Sequence, residues 1–210
     1  MVNQVIVREL QTNCWITSLG GGDCIVIDPG GDDKVIFDRI KKLTVNPRYF
    51  VLTHAHFDHI AALPFLAAEF PGADIAIHPS EAGKLTDRES HRRDFNAVGY
   101  CSYVENLWQP VPDATVLLKE GDELGPFVVM HLPGHSPGSI ALYNKEEKIL
   151  FSGDTLFRAG FGRTDLPGGD EQALFRSLRR LFTLDGDTAV YPGHGPTTTI
   201  NREKSLYNFR

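Results

Sequence analysis

The segment Thr53–Ile60, THAHFDHI, restricts the possible folds more than any other part of the chain. It places four side chains that can bind a metal ion within six residues, namely His54, His56, Asp58 and His59. The segment follows the apolar run Phe50–Leu52, which is typical of a buried strand, and precedes a helical spacing that begins near Ile60. In an extended turn the first two histidines can point the same way, and the other two ligands then lie at the helix start. Because imidazole and carboxylate suit zinc, iron or manganese, the segment predicts a metal-binding loop at the end of a strand.

Three further candidate ligands each lie just beyond a predicted strand and directly after a glycine, namely His135, Asp154 and His194. The strands before them are predicted at Phe127–Met130, Ile149–Phe151 and Ala189–Tyr191. Glycine and proline at these points permit tight turns and a close approach of the backbone. Together with Thr53–Ile60, four segments thus deliver ligands just beyond predicted strands. If these four strands are neighbours, their loops converge at one edge of the sheet, and functional residues commonly lie on loops that a rigid scaffold holds.

These seven ligands divide into two sets of three and one shared residue. The sets are His54, His56 and His135 for one metal, Asp58, His59 and His194 for the other, and Asp154 as the bridge. Two metals roughly 3.5–4 Å apart can share a water and lower its pKa toward about 7, which supplies hydroxide at neutral pH. The pattern therefore predicts two divalent metal ions, with zinc expected and iron or manganese as alternatives that the same ligand types suit.

The order of these motifs resembles that of the metallo-β-lactamase superfamily. The resemblance rests on THAHFDH, a PGH with His135, a GD with Asp154, a PGHG with His194, IDPGG at Ile27–Gly31 and SGDTLF at Ser152–Phe157. It covers essentially the whole chain and implies an α+β fold, a four-layer αβ/βα sandwich with the metals at the sheet edges. The division of ligands given above agrees with the superfamily pattern. An aspartate rather than a cysteine at the bridging position argues against a true zinc β-lactamase.

The segment Gly162–Gly169, GRTDLPGG, is similar to the glyoxalase II-like branch, which includes short bacterial hydrolases and the related persulfide dioxygenases. The final segment GPTTTINREKSLYNF is similar to the short bacterial hydrolases. Sixteen residues follow His194, where larger glyoxalase II enzymes carry a helical domain that helps to bind glutathione. We expect the polar, weakly patterned residues 80–113 to form a short helical or irregular excursion that walls the cleft instead.

Other short apolar or β-branched runs predict further strands, and i, i+4, i+7 spacings predict helices around Ile36–Leu43 and Leu174–Leu181, the second capped by Asp170. A helix over Arg202–Phe209 and a hairpin turn at Gly20–Asp23 are also predicted. Length and the absence of a linker favour a single domain over residues 1–210. The additional strands are Val5–Val7, Cys24–Ile27, Ile75–Ile77, Val116–Leu118 and Ile140–Tyr143.

Composition limits the partners that we expect. A net charge of −6 lacks the basic footprint of a nucleic-acid binder, and no apolar run is long enough to cross a membrane. The N-terminal sequence MVNQVIVREL has no long apolar stretch, so we expect no secretory signal. The three cysteines suggest neither disulfides nor a CxxC metal site, and we expect them to be buried in a protein of the reducing cytoplasm. Oligomeric state is not readable from the sequence.

Five other residues carry weaker expectations. Asp28, in the IDPGG turn, either orients a ligating histidine or serves the turn alone. Arg163 and Asp165 form a local ion pair, or Arg163 faces an anionic group of the substrate. His78 and His91 are expected to be ordinary surface or loop residues.

The function predicted is hydrolysis of a thioester or a similar activated ester by the bridging hydroxide, as in hydroxyacylglutathione hydrolases. Asp58 and Asp154 are the candidate catalytic residues, and Arg163 is a candidate substrate-binding residue. A thiolate is a good leaving group, so a strong general acid is not required. The main alternative is a persulfide dioxygenase with one iron, and a ribonuclease-like phosphodiesterase or a metal-dependent scaffold without turnover is less favoured.

Overall fold

The computed structural model describes residues 1–7 and 9–207, and the chain divides into two compact units, Met1–Leu117 and Leu118–Arg210. We call these unit 1 and unit 2. The expectation of a single domain over residues 1–210 stays a prediction. Among the described residues, no helix is both long enough and apolar enough to span a membrane.

Unit 1 contains a six-stranded sheet whose strand order follows the chain. Strands β1 to β3 pair antiparallel, and β3 to β6 pair parallel. The strands are β1 Val2–Ile6, β2 Asn13–Gly20, β3 Asp23–Ile27, β4 Asn46–Val51, β5 Asp74–Ile77 and β6 Val116–Leu117. Because β3 and β4 run in the same direction, the residues that follow them lie at the same edge of this sheet.

The helices of unit 1 bury their apolar stripes in one core. They are α1 Asp33–Leu43, α2 Leu63–Glu69, α3 Pro79–Ala82, α4 Arg88–Ala97 and α5 Cys101–Leu107. The spacing that predicts α1 is confirmed, since Ile36 and Ile40 are fully buried. The helix expected from Ile60 begins at Leu63 instead, because Phe57–His59 forms a single 3₁₀ turn first.

Unit 2 contains a second six-stranded sheet in the order β14-β13-β10-β9-β8-β7 and a small hairpin of β11 and β12. The strands are β7 Glu123–Leu124, β8 Phe127–His131, β9 Ile140–Asn144, β10 Ile149–Gly153, β11 Leu156–Phe157, β12 Gly160–Phe161, β13 Ala189–Pro192 and β14 Thr198–Thr199. β9 pairs antiparallel with both β8 and β10, and β10 pairs parallel with β13. Strands β8, β10 and β13 therefore run in one direction, and their carboxyl ends lie at one edge of this sheet.

The core of unit 2 lies between its sheet and the helix α6, Glu171–Leu181, whose leucines are buried. The predicted cap is confirmed, because the Asp170 side chain accepts a hydrogen bond from the Ala173 amide. The last helix, α7, spans Ile200–Leu206, two residues earlier at its start than expected. The predicted end of that helix at Phe209 lies outside the described residues.

The helical alternative for the excursion over residues 80–113 is confirmed, since α4, α5 and part of α3 lie inside it. The expectation about the cysteines needs one correction. Of the three cysteines, Cys14 and Cys24 are buried as expected, but Cys101 is partly exposed at the first position of α5. Cys101 lies on a short helix beside the acceptor Glu105, which keeps its thiol at the surface.

Candidate metal centre

The ligand loop of unit 1, Thr53–Ile60, begins two residues after β4 and is almost completely buried. His54 and His59 are fully buried, and His56 and Asp58 are 6% and 7% exposed. The ring of His54 lies 4.7 Å from that of His56 and 4.2 Å from that of His59, measured between centroids. The loop therefore holds three imidazoles and one carboxylate together, away from bulk water.

Asp28, which follows β3, supports this loop from the neighbouring strand end. Its Oδ1 accepts from the Thr53 amide at 2.8 Å and its Oδ2 from the Thr53 hydroxyl at 2.7 Å. Oδ2 also lies 3.0 Å from Nδ1 of His59, a hydrogen-bond distance. The sequence left two roles open for Asp28, and the structure shows contacts that serve both. The carboxylate ties the turn to the ligand loop and fixes the orientation of the His59 ring.

Thr12 is a supporting residue that the sequence analysis missed. Its buried hydroxyl donates to Oδ2 of Asp58 at 2.9 Å, over a separation of 46 residues. The same carboxylate oxygen lies 3.5 Å from Nε2 of His59. No local pattern could have revealed Thr12, because it lies between β1 and β2 and meets the loop only through the sheet.

Two close packing contacts explain local sequence choices around this loop. A Cβ added at Gly30 would lie 1.7 Å from the carbonyl oxygen of Asp58, so only glycine fits in the IDPGG turn. Phe57 is fully buried and stacks on Trp108 with ring centroids 5.6 Å apart. Phe57 thus anchors the loop in the core of unit 1.

In unit 2, His135, Asp154 and His194 follow β8, β10 and β13, whose carboxyl ends lie at the same sheet edge. Nε2 of His135 is 3.7 Å from Oδ2 of Asp154, and Nε2 of His194 is 3.5 Å from the same oxygen. His135 and Asp154 are buried, whereas the side chain of His194 is 28% exposed. The expectation that all four ligand-bearing strands are neighbours in one sheet is wrong, because β4 belongs to the sheet of unit 1. Within the sheet of unit 2, the three ligands do converge.

The loop Gly162–Gly169 supports His135 through its backbone. Nδ1 of His135 lies 2.8 Å from the carbonyl oxygen of Arg163, which is a hydrogen-bond contact. A Cβ at Gly162 would lie 1.9 Å from the carbonyl oxygen of Asp154, so this motif also needs glycine for a close approach. The carbonyl acceptor fixes the tautomer and ring orientation of His135 without any help from a side chain.

The guanidinium of Arg163 is already paired. Its Nε and Nη2 donate to the two carboxylate oxygens of Asp165, each at 2.7 Å, so the predicted ion pair is confirmed. The hydrogen bond from Arg163 lowers the pKa of Asp165 to about 2. Both side chains are exposed, and Arg163 meets any anionic substrate group only in competition with Asp165.

The expectation of a surface or loop residue is wrong for His91, which is buried on α4, while His78 lies in the connection between β5 and α3 but is buried. His78 caps α3 by accepting from the Ser80 amide. His91 packs against both Phe57 and Trp108, and burial together with the positive charge of Lys84 lowers its pKa to about 4. Both histidines are buried because of contacts in the folded chain, and the local hydrophobic pattern of the sequence does not reveal such contacts.

The donor chemistry fits divalent metal ions. Two ligands bound about 2.1 Å from one tetrahedral metal lie about 3.4 Å apart, close to the nitrogen–oxygen separations within each unit. Buried carboxylates and imidazoles crowded at such distances require compensation, which a metal ion provides. Each unit also supplies an acceptor of the kind that orients metal-binding histidines. In unit 1 the Asp28 carboxylate faces His59, and in unit 2 the Arg163 carbonyl faces His135.

Comparison with known proteins decides the family. The family model of the metallo-beta-lactamase superfamily matches residues 7–194. The chain belongs to the metallo-β-lactamase superfamily. The match runs through both units and includes every predicted ligand. The α+β metallo-β-lactamase fold that the motifs predict is thereby confirmed, and the chain is a metallo-hydrolase of this superfamily.

Three relatives show how similar the chain is to individual members. It is 36% identical to the probable metallo-hydrolase YqgX of Bacillus subtilis, over 97% of this chain and 94% of the relative. It is 33% identical to the hydroxyacylglutathione hydrolase GloC of Haemophilus influenzae, over 94% and 92%. The solved structure of TTHA1623 in a di-iron-bound form matches with a TM-score of 0.87 at 37% identity, over 99% and 100%. Each alignment spans nearly the whole of both proteins.

Proposed function

We propose that this member of the metallo-β-lactamase superfamily is a binuclear metal-dependent thioesterase of the glyoxalase II-like type. The observation that carries the proposal is that both ligand sets are complete and each has its own supporting contacts. The 33% identity to a hydroxyacylglutathione hydrolase over nearly the full length supports the thioester class. The substrate is accordingly a small-molecule thioester or a related activated ester.

The proposal gives each ligand a role. Two divalent ions bound there would lower the pKa of a water toward about 7 and polarise the carbonyl that it attacks. One set would hold the first ion, the second set would hold the other, and Asp154 would serve both. The sets are His54, His56 and His135 for the first and Asp58, His59 and His194 for the second. Zinc remains our expectation, and the di-iron-bound relative makes iron the alternative to test first.

Asp58 and Asp154 are the proposed catalytic carboxylates, and one of them would accept the single proton that the attacking water loses. Thr12 donates to Oδ2 of Asp58, which restrains the orientation of that carboxylate. The departing thiolate is stable without protonation, so the site needs no separate general acid. A site without a general acid suits thioesters better than esters of poorly acidic alcohols, because an alkoxide leaving group needs a proton.

The test measures hydrolysis of S-lactoylglutathione by protein loaded with zinc, iron or manganese. A chelated sample, the variant Asp154→Ala and the variant Asp187→Asn complete the set. Asp187 is a matched control, because its carboxylate is 84% exposed and it lies outside both ligand sets. We expect rapid turnover that is lost on chelation and falls by at least about 10³-fold in Asp154→Ala, with full activity in Asp187→Asn.

Other outcomes would redirect the assignment. Two bound metals without thioester turnover would contradict the thioesterase, and hydrolysis of a chromogenic β-lactam in the same sample would replace it. One bound iron, with oxygen consumed in the presence of glutathione persulfide, would favour the dioxygenase. Full activity and metal content in Asp154→Ala would exclude the shared-ligand scheme.

A further inference from the structure

Two buried carboxylates from residues 79–97 contact the ligand loop of unit 1. Glu81 is 2% exposed, and its Oε2 accepts from the amide of Ala55 at 3.1 Å. Asp94 is 1% exposed, and its Oδ2 lies 4.0 Å from Nε2 of His56. Because Ala55 and His56 are consecutive, the two carboxylates hold adjacent points of the loop. The polar segment expected to wall a cleft therefore also supports a metal ligand.

The position of Asp94 is set by Lys84. Nζ of Lys84 donates to Oδ2 of Asp94, the same oxygen that faces His56. A buried carboxylate is costly unless it is paired and hydrogen-bonded, and Lys84 supplies that partner from a side chain only 17% exposed. The ion pair thus makes it possible to keep an anionic oxygen beside His56 within the core.

The aromatic packing around the loop limits how far Asp94 can move. Asp94 and Phe95 are neighbours on α4, and Phe95 packs edge to face against Phe57 with centroids 6.2 Å apart. On the loop, Phe57 directly follows His56. The apolar contact between Phe95 and Phe57 therefore lies one residue away, on both elements, from the contact between Asp94 and His56. It restrains the position of the carboxylate relative to the imidazole.

We propose that Asp94, held by Lys84, is a positioning residue that fixes the ring orientation and tautomer of His56 for metal binding. Ligating histidines commonly donate their second ring N–H to a carboxylate, which also raises their basicity as ligands. A separation of 4.0 Å is an ion-pair contact rather than a hydrogen bond.

This inference rests on the metal site of the proposed function but not on the thioester substrate. It assigns a role to α3 and α4 that neither the ligand motifs nor the GRTDLPGG segment contains. It also predicts that Asp94 acts on the metal that His56 binds, and only indirectly on the other one.

The experiment compares wild type with Asp94→Asn and with Glu89→Gln, an exposed carboxylate on the same helix. Zinc affinity is measured by competition with a chromophoric chelator, the cobalt-substituted proteins give visible spectra, and the metal-free proteins give Tm values. We expect Asp94→Asn to weaken one of the two zinc affinities by 10- to 100-fold, as is typical for loss of a group that supports a ligand, and to change the cobalt spectrum. Glu89→Gln should match wild type in all three.

Two further variants separate positioning from a merely structural role. Because Asp94→Asn leaves Lys84 buried without its partner, the double variant Lys84→Met/Asp94→Leu removes both charges and should restore Tm without restoring zinc affinity. In a His56→Ala background, Asp94→Asn should cause no additional loss of affinity, since its effect passes through His56.

Unchanged zinc affinity and an unchanged cobalt spectrum in Asp94→Asn would overturn the inference, and so would an equal loss in the His56→Ala background. If wild type binds metal but hydrolyses no thioester, the proposed substrate fails while the role of Asp94 is still decided by these affinities. If wild type binds no divalent metal, both proposals fail together.

Discussion

The ligands of unit 1 and those of unit 2 are built by opposite routes. In unit 1, four ligands follow a single strand on one buried loop, and their supporting groups are side chains such as Asp28 and Thr12. In unit 2, three ligands come from the ends of three separate strands, and His135 is oriented by a backbone carbonyl. The ligands of unit 1 depend on side chains from distant positions in the sequence, and His135 of unit 2 depends on the course of the main chain.

This difference decides which substitutions each set can tolerate. The support in unit 1 can be removed one side chain at a time, because each carboxylate or hydroxyl is a separate group. The support for His135 cannot be removed by changing the side chain of Arg163, since the acceptor is its carbonyl oxygen. Only a change that shifts the backbone, such as a larger residue at Gly162, should disturb it.

Glycine substitutions give the largest effect that we expect and should act on both sets. Gly30→Ala and Gly162→Ala each force a Cβ within 2 Å of a carbonyl oxygen, at 1.7 Å and 1.9 Å, so the backbone must move. We expect each to lower the free energy of unfolding by roughly 3 kcal/mol or more. Urea unfolding of the metal-free proteins measures this.

Matched glycines provide the controls for that prediction. An added Cβ meets nothing within 4 Å at Gly72 and only an ordinary contact with Phe157 at Gly160. Gly72→Ala and Gly160→Ala should therefore leave stability within about 1 kcal/mol of wild type. If the free energy of unfolding of Gly162→Ala matches that of Gly160→Ala, the close approach of Gly162 to Asp154 does not constrain the ligands of unit 2.

Removing a side-chain support should separate the two sets. Asp28→Asn keeps the size of the residue but loses the anionic acceptor shared by Thr53 and His59. We expect zinc affinity to fall about 100-fold, because loss of an outer carboxylate commonly costs 10- to 100-fold. Arg163→Ala, its counterpart in unit 2, should change affinity by less than about threefold, since the carbonyl remains. Chelator competition on both variants measures this, and equal losses would contradict the contrast.

The sequence revealed the ligands of unit 1 more directly than those of unit 2. HAHFDH places four ligand types within six residues, so no knowledge of the sheet is needed to see the cluster. His135, Asp154 and His194 converge only because β8, β10 and β13 run in one direction, which the sequence analysis had to assume. Glycines next to each of them were the local signal that made the assumption reasonable.

The supporting residues were much harder to predict. Glu81, His91 and Asp94 lie in a polar stretch, where charged and polar residues are normally exposed. Each is buried because a partner arrives from elsewhere, such as the Ala55 amide for Glu81 and Lys84 for Asp94. Strand β2 was missed for a related reason, since its buried Asn13 and Thr17 interrupt the apolar pattern. Tertiary contacts over long separations overrode the local pattern in each case.

His91 makes the stability of unit 1 sensitive to acid. Its pKa is lowered from 6.5 to about 4, first by burial and then by Lys84, so the folded state favours the neutral ring. The unfolded state binds the proton more tightly, and the stabilisation present above pH 6.5 is lost as the pH falls toward 4. We expect this residue to account for about 2 kcal/mol of the stability lost between pH 7 and pH 5.

The measurement is urea unfolding of metal-free wild type and His91→Phe at both pH values. The variant should lose about 2 kcal/mol less than wild type over that interval. His131→Gln is the control, because His131 is only half-buried in unit 2 and its Nε2 lies 3.0 Å from the Pro137 carbonyl oxygen. A pH dependence equally reduced in His131→Gln would show that the two units do not differ in this respect.

The smallest effect is expected at the exposed ion pair of unit 2, and it concerns substrate binding rather than the metal. Asp165→Asn removes the carboxylate that occupies both Nε and Nη2 of Arg163, while the carbonyl that supports His135 stays in place. Tm and zinc affinity should therefore stay close to wild type, since exposed ion pairs contribute little. If Arg163 faces an anionic part of the substrate, its release should lower KM for S-lactoylglutathione about two- to fivefold with kcat unchanged. An uncharged thioester such as S-acetyl-β-mercaptoethanol should show no change in KM. A fall in kcat or zinc affinity would instead mean that the Arg163–Asp165 side chains support the metal ligands. In that case the ligands of unit 2 would also depend on side chains, and the contrast between the two units would be wrong.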